Sequence, residues 1–175
     1  MIHKKAEVKD ATLGEGCRVW QFASVIRGAV LGDNVTVASC AIVDGAKVGA
    51  DSIICHGASV HPGAVLGRGV FVGPGAVLCN DAWPRAHKDG WAPPTRPAII
   101  MEDGATVCAG AVILPGVHIG RDAMVGAGVV CGHDVPDGML MLSNQVCVPI
   151  GDEARKVRMR VAGERIRPST AQLKA

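Results

Sequence analysis

The residues best suited to chemistry in this chain are its histidines and one polar stretch. His56 and His61 lie close together in the sequence, and Asn80 with Asp81 opens a segment rich in proline and polar side chains. An imidazole changes charge near neutral pH and can therefore accept a proton from a reacting group. The amide of Asn80 can align a polar ligand, although an amide is not a strong base. The sequence thus offers a candidate base and a candidate positioning group, whose spatial relation depends on the fold.

A six-residue repeat dominates the rest of the chain. A small or branched residue stands two positions before most of the aliphatic ones, so each repeat supplies a pair of side chains to one face of a strand. The 23 glycines occur mostly as singles, which predicts recurrent turns, and with abundant valine they argue against an α-helix. The pattern predicts a parallel β-helix of hexapeptide repeats. The aliphatic positions are Leu13, Val19, Val25, Leu31, Val37, Val43, Val48, Ile54, Val60, Leu66, Val72, Leu78, Met101, Val107, Ile113, Ile119, Val125 and Cys131.

Over roughly residues 8–135 this repeat resembles the hexapeptide-repeat acyltransferase superfamily. The resemblance implies an all-β, left-handed parallel β-helix with three flat faces and eighteen residues per coil. The repeat then forms about six coils, with a one-residue deletion after Val43 and an insertion at residues 79–97. We expect a β-helix domain over residues 1–150 and a short charged helix with a tail over residues 151–175. A loop that interrupts a regular scaffold is a common place for function.

The length of the coil determines which side chains share a corner. His61 precedes Cys79 by one full coil, which predicts that it lies directly beneath Cys79 and beside Asn80, about 4.8 Å along the axis. The same count places Leu114–Pro115 and Gly132–His133 at this corner in higher coils. His61 is therefore the histidine best placed beside the loop, and its alternative role is that of a solvated turn residue.

The inserted segment carries the most specific motif. The run from Gly73 to Ala86 resembles the nucleotide-linked 3-amino-sugar N-acetyltransferases, in which an Asn-Asp-x-x-Pro-Arg-Ala loop follows a Gly-Pro strand. The resemblance implies acetyl transfer from acetyl-CoA to the amine of a nucleoside-diphosphate-linked amino sugar, in clefts between the subunits of a homotrimer. The catalytic candidates are then Asn80 and His61. Substrate contacts are expected from Asp81, Pro84, Arg85, His56 and His87.

The chain departs from that family one coil below the loop. The family has Asn-Asn-Val-Ser-Val-Tyr-Glu-Gly where this chain has residues 56–63, so that His61 replaces the tyrosine and Pro62 the glutamate. The resemblance therefore supports the type of reaction better than the identity of the sugar.

For acetyl-CoA the resemblance implies backbone contact along coils of small residues, with cationic side chains near the phosphates. Ala109, Gly110, Ala127 and Gly128 are small enough for close approach, although the repeat alone explains them equally well. Arg121 and His133 are the candidates for the phosphates.

Two alternatives compete with acetyl transfer. His56 and His61 resemble paired zinc ligands of γ-class carbonic anhydrases, which share this β-helix. A catalytic zinc usually takes three protein ligands, and only His3 precedes His56, so we expect no metal. The third possibility, a non-catalytic β-helix that serves assembly, leaves the Asn80 loop unexplained.

Composition and charge exclude several classes of partner and site. The net charge is +2 and no basic stripe with interleaved aromatics occurs, so nucleic acid is not an expected partner. No apolar run is long enough to span a bilayer. The seven cysteines are widely spaced without a Cys-x-x-Cys pair, which argues against disulfides and zinc knuckles. Because no signal peptide is apparent, we expect a cytoplasmic protein.

Overall fold

The computed structural model describes residues 1–84, 86, 97–143 and 145–151. Within these residues all regular structure is strand, arranged in three sheets. The first sheet contains β1 (Glu7–Lys9), β4 (Ser24–Ile26), β7 (Ile42–Asp44), β10 (Ser59–Val60), β13 (Val77–Leu78), β16 (Val112–Ile113) and β19 (Val130–Cys131). The second contains β2 (Thr12–Leu13), β5 (Val30–Leu31), β8 (Lys47–Val48), β11 (Ala64–Leu66), β14 (Ile99–Met101) and β17 (His118–Ile119). The third contains β3 (Arg18–Val19), β6 (Thr36–Val37), β9 (Ile53–Ile54), β12 (Phe71–Val72), β15 (Thr106–Val107), β18 (Met124–Val125), β20 (Met139–Met141) and β21 (Cys147–Pro149).

The chain visits the three sheets in rotation, and each strand pairs in parallel with the strand of the next coil. This arrangement confirms the predicted left-handed parallel β-helix. The solenoid has about seven turns, since the first sheet has seven strands, whereas the repeat count gave six. The additional turn contains β1, where Ala6 and Val8 pack against the core but stay partly exposed, so the aliphatic pattern is weak there.

The core is a narrow column of aliphatic side chains inside the coils. Every aliphatic position of the repeat is buried except Leu13, which is partly buried in the second turn, and Cys131 takes its place in the series with no exposed surface. The preceding small residues, from Ala23 to Val129, are buried as well. Because coils stack about 4.8 Å apart, each side chain packs on its equivalents above and below.

Both irregularities of the repeat preserve its phase. Val43 pairs with Val60 although the intervening coil is one residue short, because the turn at residues 45–46 absorbs the deletion. Leu78 pairs with Ile113 across the insertion, so β13 and β16 are direct neighbours. The insertion therefore leaves the register of the solenoid unchanged.

The solenoid closes with a hairpin that the sequence pattern does not predict. Strand β21 returns antiparallel to β20, with Leu140 opposite Val148. Beyond it, the predicted C-terminal helix over residues 151–175 lies outside the described residues, except for Gly151. Among the described residues no helix has the length and apolar character needed to cross a membrane.

Candidate functional site

The candidate site lies where the chain turns from the first sheet to the second, which we call the loop corner. Among the described residues it comprises the turns at residues 27–29, 45–46, 61–63, 114–117 and 132–134, together with the two ends of the insertion at residues 79–84 and 97–98. The pairing of Val60 with Leu78 places His61 one coil beneath Cys79, as predicted. The pairings of Leu78, Ile113 and Cys131 bring Leu114–Pro115 and Gly132–His133 to the same corner, which confirms the count across the insertion.

The loop leaves and rejoins the solenoid at fixed points. The Cys79 amide still donates to the carbonyl of Ile113 at 2.9 Å, so Asn80 is the first residue outside the ladder. The return is pinned by Ala98, whose amide donates to the carbonyl of Gly63 at 2.9 Å. Inside the loop the Asp81 carboxylate accepts the Trp83 amide at 2.9 Å, while the indole of Trp83 is almost fully exposed. Asn80 is therefore held at the base of the loop, next to the coil of His61.

Replacement of Gly63 by alanine tests how firmly this base is built. Gly63 has a φ of +83°, and a Cβ there would lie 3.4 Å from both the Cβ and the amide nitrogen of Ala98. The left-handed backbone costs an L-residue about 1–2 kcal/mol, and contact with Ala98 should add to that loss. Gly116→Ala is the matched control, because its φ is +88° at the same corner but its Cβ would meet open space. Urea unfolding should show the larger loss for Gly63→Ala; equal losses would mean that the contact with Ala98 has no energetic weight.

The environment of His61 suits a proton acceptor. The side chain is half-buried, and burial, followed by the positive charge of Arg27, lowers the pKa of His61 from its ordinary value of 6.5. The imidazole is therefore neutral at neutral pH and can take up a proton. Burial also raises the pKa of the neighbouring Cys79 thiol, so that this cysteine is not activated as a nucleophile.

An ion pair that sequence reasoning missed lies beneath His61. Asp44 is the last residue of β7, and Arg27 donates to both of its carboxylate oxygens, from Nε to Oδ1 at 2.6 Å and from Nη2 to Oδ2. The Asp44 side chain is 7% exposed and that of Arg27 is 68% exposed. Asp44 is in register with His61 because each follows the aliphatic residue of its coil, but nothing in the sequence pairs Asp44 with Arg27.

The other predicted contacts lie at two further corners. Turns from the third sheet to the first form the glycine corner, at residues 20–23, 38–41, 55–58, 73–76, 108–111 and 126–129. Turns from the second sheet to the third form the aspartate corner, at residues 14–17, 32–35, 49–52, 67–70, 102–105, 120–123 and 136–138. The glycine corner holds His56, Ala109, Gly110, Ala127 and Gly128.

The predicted site residues therefore lie at different corners of the solenoid. The loop corner brings together His61, Asn80 and Asp81, with His133 about 10 Å above Asn80 along the axis. Pro84 is exposed in the loop. Arg121 lies at the aspartate corner, where its amide donates to the Asp137 carboxylate at 2.9 Å, so one chain does not gather it with His133. Two predicted substrate contacts, Arg85 and His87, lie outside the described residues.

The geometry offers little to a metal ion. His56 and His61 lie at opposite ends of β10, one at the glycine corner and the other at the loop corner. Across the described ranges, no group of three or more His, Cys, Asp or Glu side chains is placed to hold an ion.

The repeat matches the model of a known protein family. The bacterial transferase hexapeptide family (six repeats) matches residues 45–80 and 98–133, and the break between the two matches coincides with the insertion. The two matched segments are hexapeptide repeats of this type. Among the curated proteins similar to this chain is a 2,3,4,5-tetrahydropyridine-2,6-dicarboxylate N-acetyltransferase of Staphylococcus aureus (strain JH9). The two are 43% identical over 49 residues, which is 28% of this chain and 20% of the relative.

Two solved structures share the β-helix with this chain. The acetyltransferase domain of PglB from Neisseria gonorrhoeae FA1090, in complex with acetyl coenzyme A, is 26% identical with a TM-score of 0.53, covering 85% of this chain and 56% of that one. PerB from Caulobacter crescentus, in complex with CoA and GDP-perosamine, is 28% identical with a TM-score of 0.52, covering 79% of this chain and 51% of that one. This protein thus spans about half of each of these chains and a fifth of the curated relative.

Proposed function

We propose that the protein is an N-acetyltransferase that moves the acetyl group of acetyl-CoA to the amine of a nucleoside-diphosphate-linked amino sugar. The observation that carries the proposal is the position of His61, a half-buried imidazole with a lowered pKa, beside the base of the Asn80 loop. A neutral imidazole next to a loop that can hold an acceptor is what proton removal from an amine requires.

The reaction needs few groups. The amine nitrogen attacks the thioester carbonyl, a C–N bond forms, and the C–S bond breaks when the tetrahedral intermediate collapses. His61 accepts the proton that the nitrogen loses, and that proton then passes to the departing thiolate sulfur of CoA. The Asn80 side-chain carbonyl can accept a hydrogen bond from the amine and orient it. The remaining polar loop groups, Asp81 with Arg85 and His87, are assigned to the acceptor.

The relatives support this chemistry in different degrees. The PglB domain was solved with acetyl coenzyme A, and PerB with both CoA and a nucleotide-linked sugar. A free amine at the third carbon of the sugar is the finer part of the proposal, and it rests on the Asn80-Asp81-x-x-Pro84-Arg85 motif.

The active unit is proposed to be a homotrimer with acetyl-CoA between subunits. The glycine corner suits a CoA tail, because a Cβ at Gly75, Gly110 or Gly128 would meet nothing within 4 Å and the backbone there is open to close approach. It is separated from His61 by the width of the first sheet, so one chain does not form both halves of the site. A neighbouring copy that turns its glycine corner toward this loop corner would complete it.

An acetylation assay tests the proposal. The purified chain is incubated with acetyl-CoA and a set of nucleotide-linked sugars with the amine at the third or fourth carbon, while release of the CoA thiol is followed. The control acceptors are the same sugars already N-acetylated. Thiol release that depends on the free amine supports the proposal, and a preference for the third carbon supports its finer part. No turnover and no binding of CoA or any nucleotide-linked sugar would overturn it, and stoichiometric zinc with hydration of carbon dioxide would favour the anhydrase alternative.

A further inference from the structure

Asp44 is an unusual residue for the interior of this solenoid. Within the described ranges it is the only charged residue among the buried ones, where serine and threonine are its polar companions. A buried carboxylate needs a partner to offset its loss of hydration, and the paired donors of Arg27 supply one. The Asp44 carboxylate is thus buried, while most of the Arg27 side chain that pairs with it lies at the surface.

The Asp44 end of the pair lies one coil beneath His61. Asp44 follows Val43 as His61 follows Val60, and those two valines are paired, so the two residues occupy successive coils, which stack about 4.8 Å apart.

The charged and titratable groups around His61 are few. From below they are Asp44, on the next coil, and Arg27, whose side chain reaches Asp44 from the coil beneath that one. From above they are the Cys79 thiol, which burial keeps neutral, and Asp81 at the start of the loop. Farther along the loop corner lie Asp10 at the lower end and His133 with Asp134 at the upper end. Of these groups, Arg27 is the one whose charge lowers the pKa of His61.

We propose that the Arg27–Asp44 pair is a positioning element for His61, in which the guanidinium occupies the Asp44 carboxylate so that the imidazole stays a free base directed to the loop. The inference rests on the proposed function, because it gives the pair a role in proton removal. A bare carboxylate at this distance would stabilise the imidazolium and keep the base protonated. A bare guanidinium would have the opposite effect and weaken the base.

The two single substitutions must therefore act in opposite directions. In Arg27→Gln the unpaired Asp44 should raise the titration midpoint of His61 by about one pH unit, whereas in Asp44→Asn the unpaired Arg27 should lower it. The double variant Arg27→Gln/Asp44→Asn leaves no charge beside the imidazole, and its midpoint should fall between those of the singles. It also avoids a buried unpaired carboxylate, so it should fold even where Arg27→Gln is unstable.

NMR titration of the imidazole carbons in the full-length protein measures these midpoints without any substrate. The His61 signal is assigned by its loss in His61→Asn, since the chain has six histidines. The matched control is Arg68→Gln, which removes an ion pair with Asp51 of 2.6 Å at the aspartate corner and should leave His61 unchanged. Opposite displacements in the two singles support the proposal. Equal midpoints in all four members of the cycle, or the same displacement in Arg68→Gln, would overturn it.

The outcome is separable from that of the proposed function. A protein that shows the opposite displacements but acetylates nothing would retain the coupling and refute the acetyltransferase. A protein that acetylates amino sugars with an invariant His61 midpoint would do the reverse. Where both hold, the acid limb of the kcat/KM profile should move with the NMR midpoint in each variant.

Discussion

Replacement of His61 by asparagine is expected to lower kcat for acetyl transfer by about 100- to 10,000-fold, the usual contribution of a general base. Asparagine keeps a polar side chain of similar reach at this turn but cannot accept the proton of the amine. Because the lowered pKa of His61 lies below 6.5, the wild-type rate should be level at neutral pH and fall as the pH drops through that lower pKa. In His61→Asn this acid limb should disappear along with most of the rate.

The control for His61 is a histidine remote from the site. His118 lies on β17 in the second sheet, where its Nε2 is 3.0 Å from a carboxylate oxygen of Glu102. His118→Asn should retain the rate and the acid limb of the wild type in steady-state assays over a range of pH. Full activity of His61→Asn at neutral pH would assign His61 to the turn alone and remove it from the mechanism.

Truncation of Leu78 to alanine should cost about 2–5 kcal/mol of unfolding free energy, the usual loss for a fully buried leucine. Leu78 has no exposed surface and lies between Val60 and Ile113 in the first sheet. Each coil contacts only its neighbours, so a cavity here weakens the junction of the lower and upper parts of the solenoid. The loss should appear as a lower urea midpoint with an unchanged slope, measured by circular dichroism.

Val77, the other residue of this strand, is the control for the loss of core packing. Val77 belongs to the same strand but faces outward and is partly exposed, so Val77→Ala removes methyl groups without opening a core cavity. It should cost a small fraction of the Leu78 loss. A Leu78→Ala protein no less stable than Val77→Ala would show that the core collapses readily around the missing side chain.

The periodicity predicts the fold and the main juxtaposition of the site because both depend on counting. A side chain in a β-helix is located by its position within the coil, so His61 and Cys79 are neighbours once the coil length is known. The insertion does not spoil the count, since the aliphatic series resumes in phase and Leu78 pairs with Ile113. Even the unusual Cys131 is placed in the core by its position alone.

The rest depends on contacts that counting does not reveal. Asp44 is the last residue of β7, where the alternation of inward and outward side chains breaks down. Nothing in the sequence pairs it with Arg27. Size and charge indicate the expected CoA residues, but neither property tells which corner a residue occupies. Arg121 consequently lies at the aspartate corner, away from the small residues of the glycine corner. The repeat count does not predict the final hairpin, because Met141 pairs with Val125 at a spacing shorter than one coil.

That hairpin has a consequence for the protein in concentrated solution. A stack of parallel coils could in principle grow by adding the first coil of another molecule to its last, as filaments do when strand edges are left bare. Strand β21 runs in the opposite direction across the edge of β20, so the upper end of the third sheet no longer offers a parallel template. The reversal of a single three-residue strand thereby limits polymerisation of a molecule in which every other strand pair of the described residues is parallel.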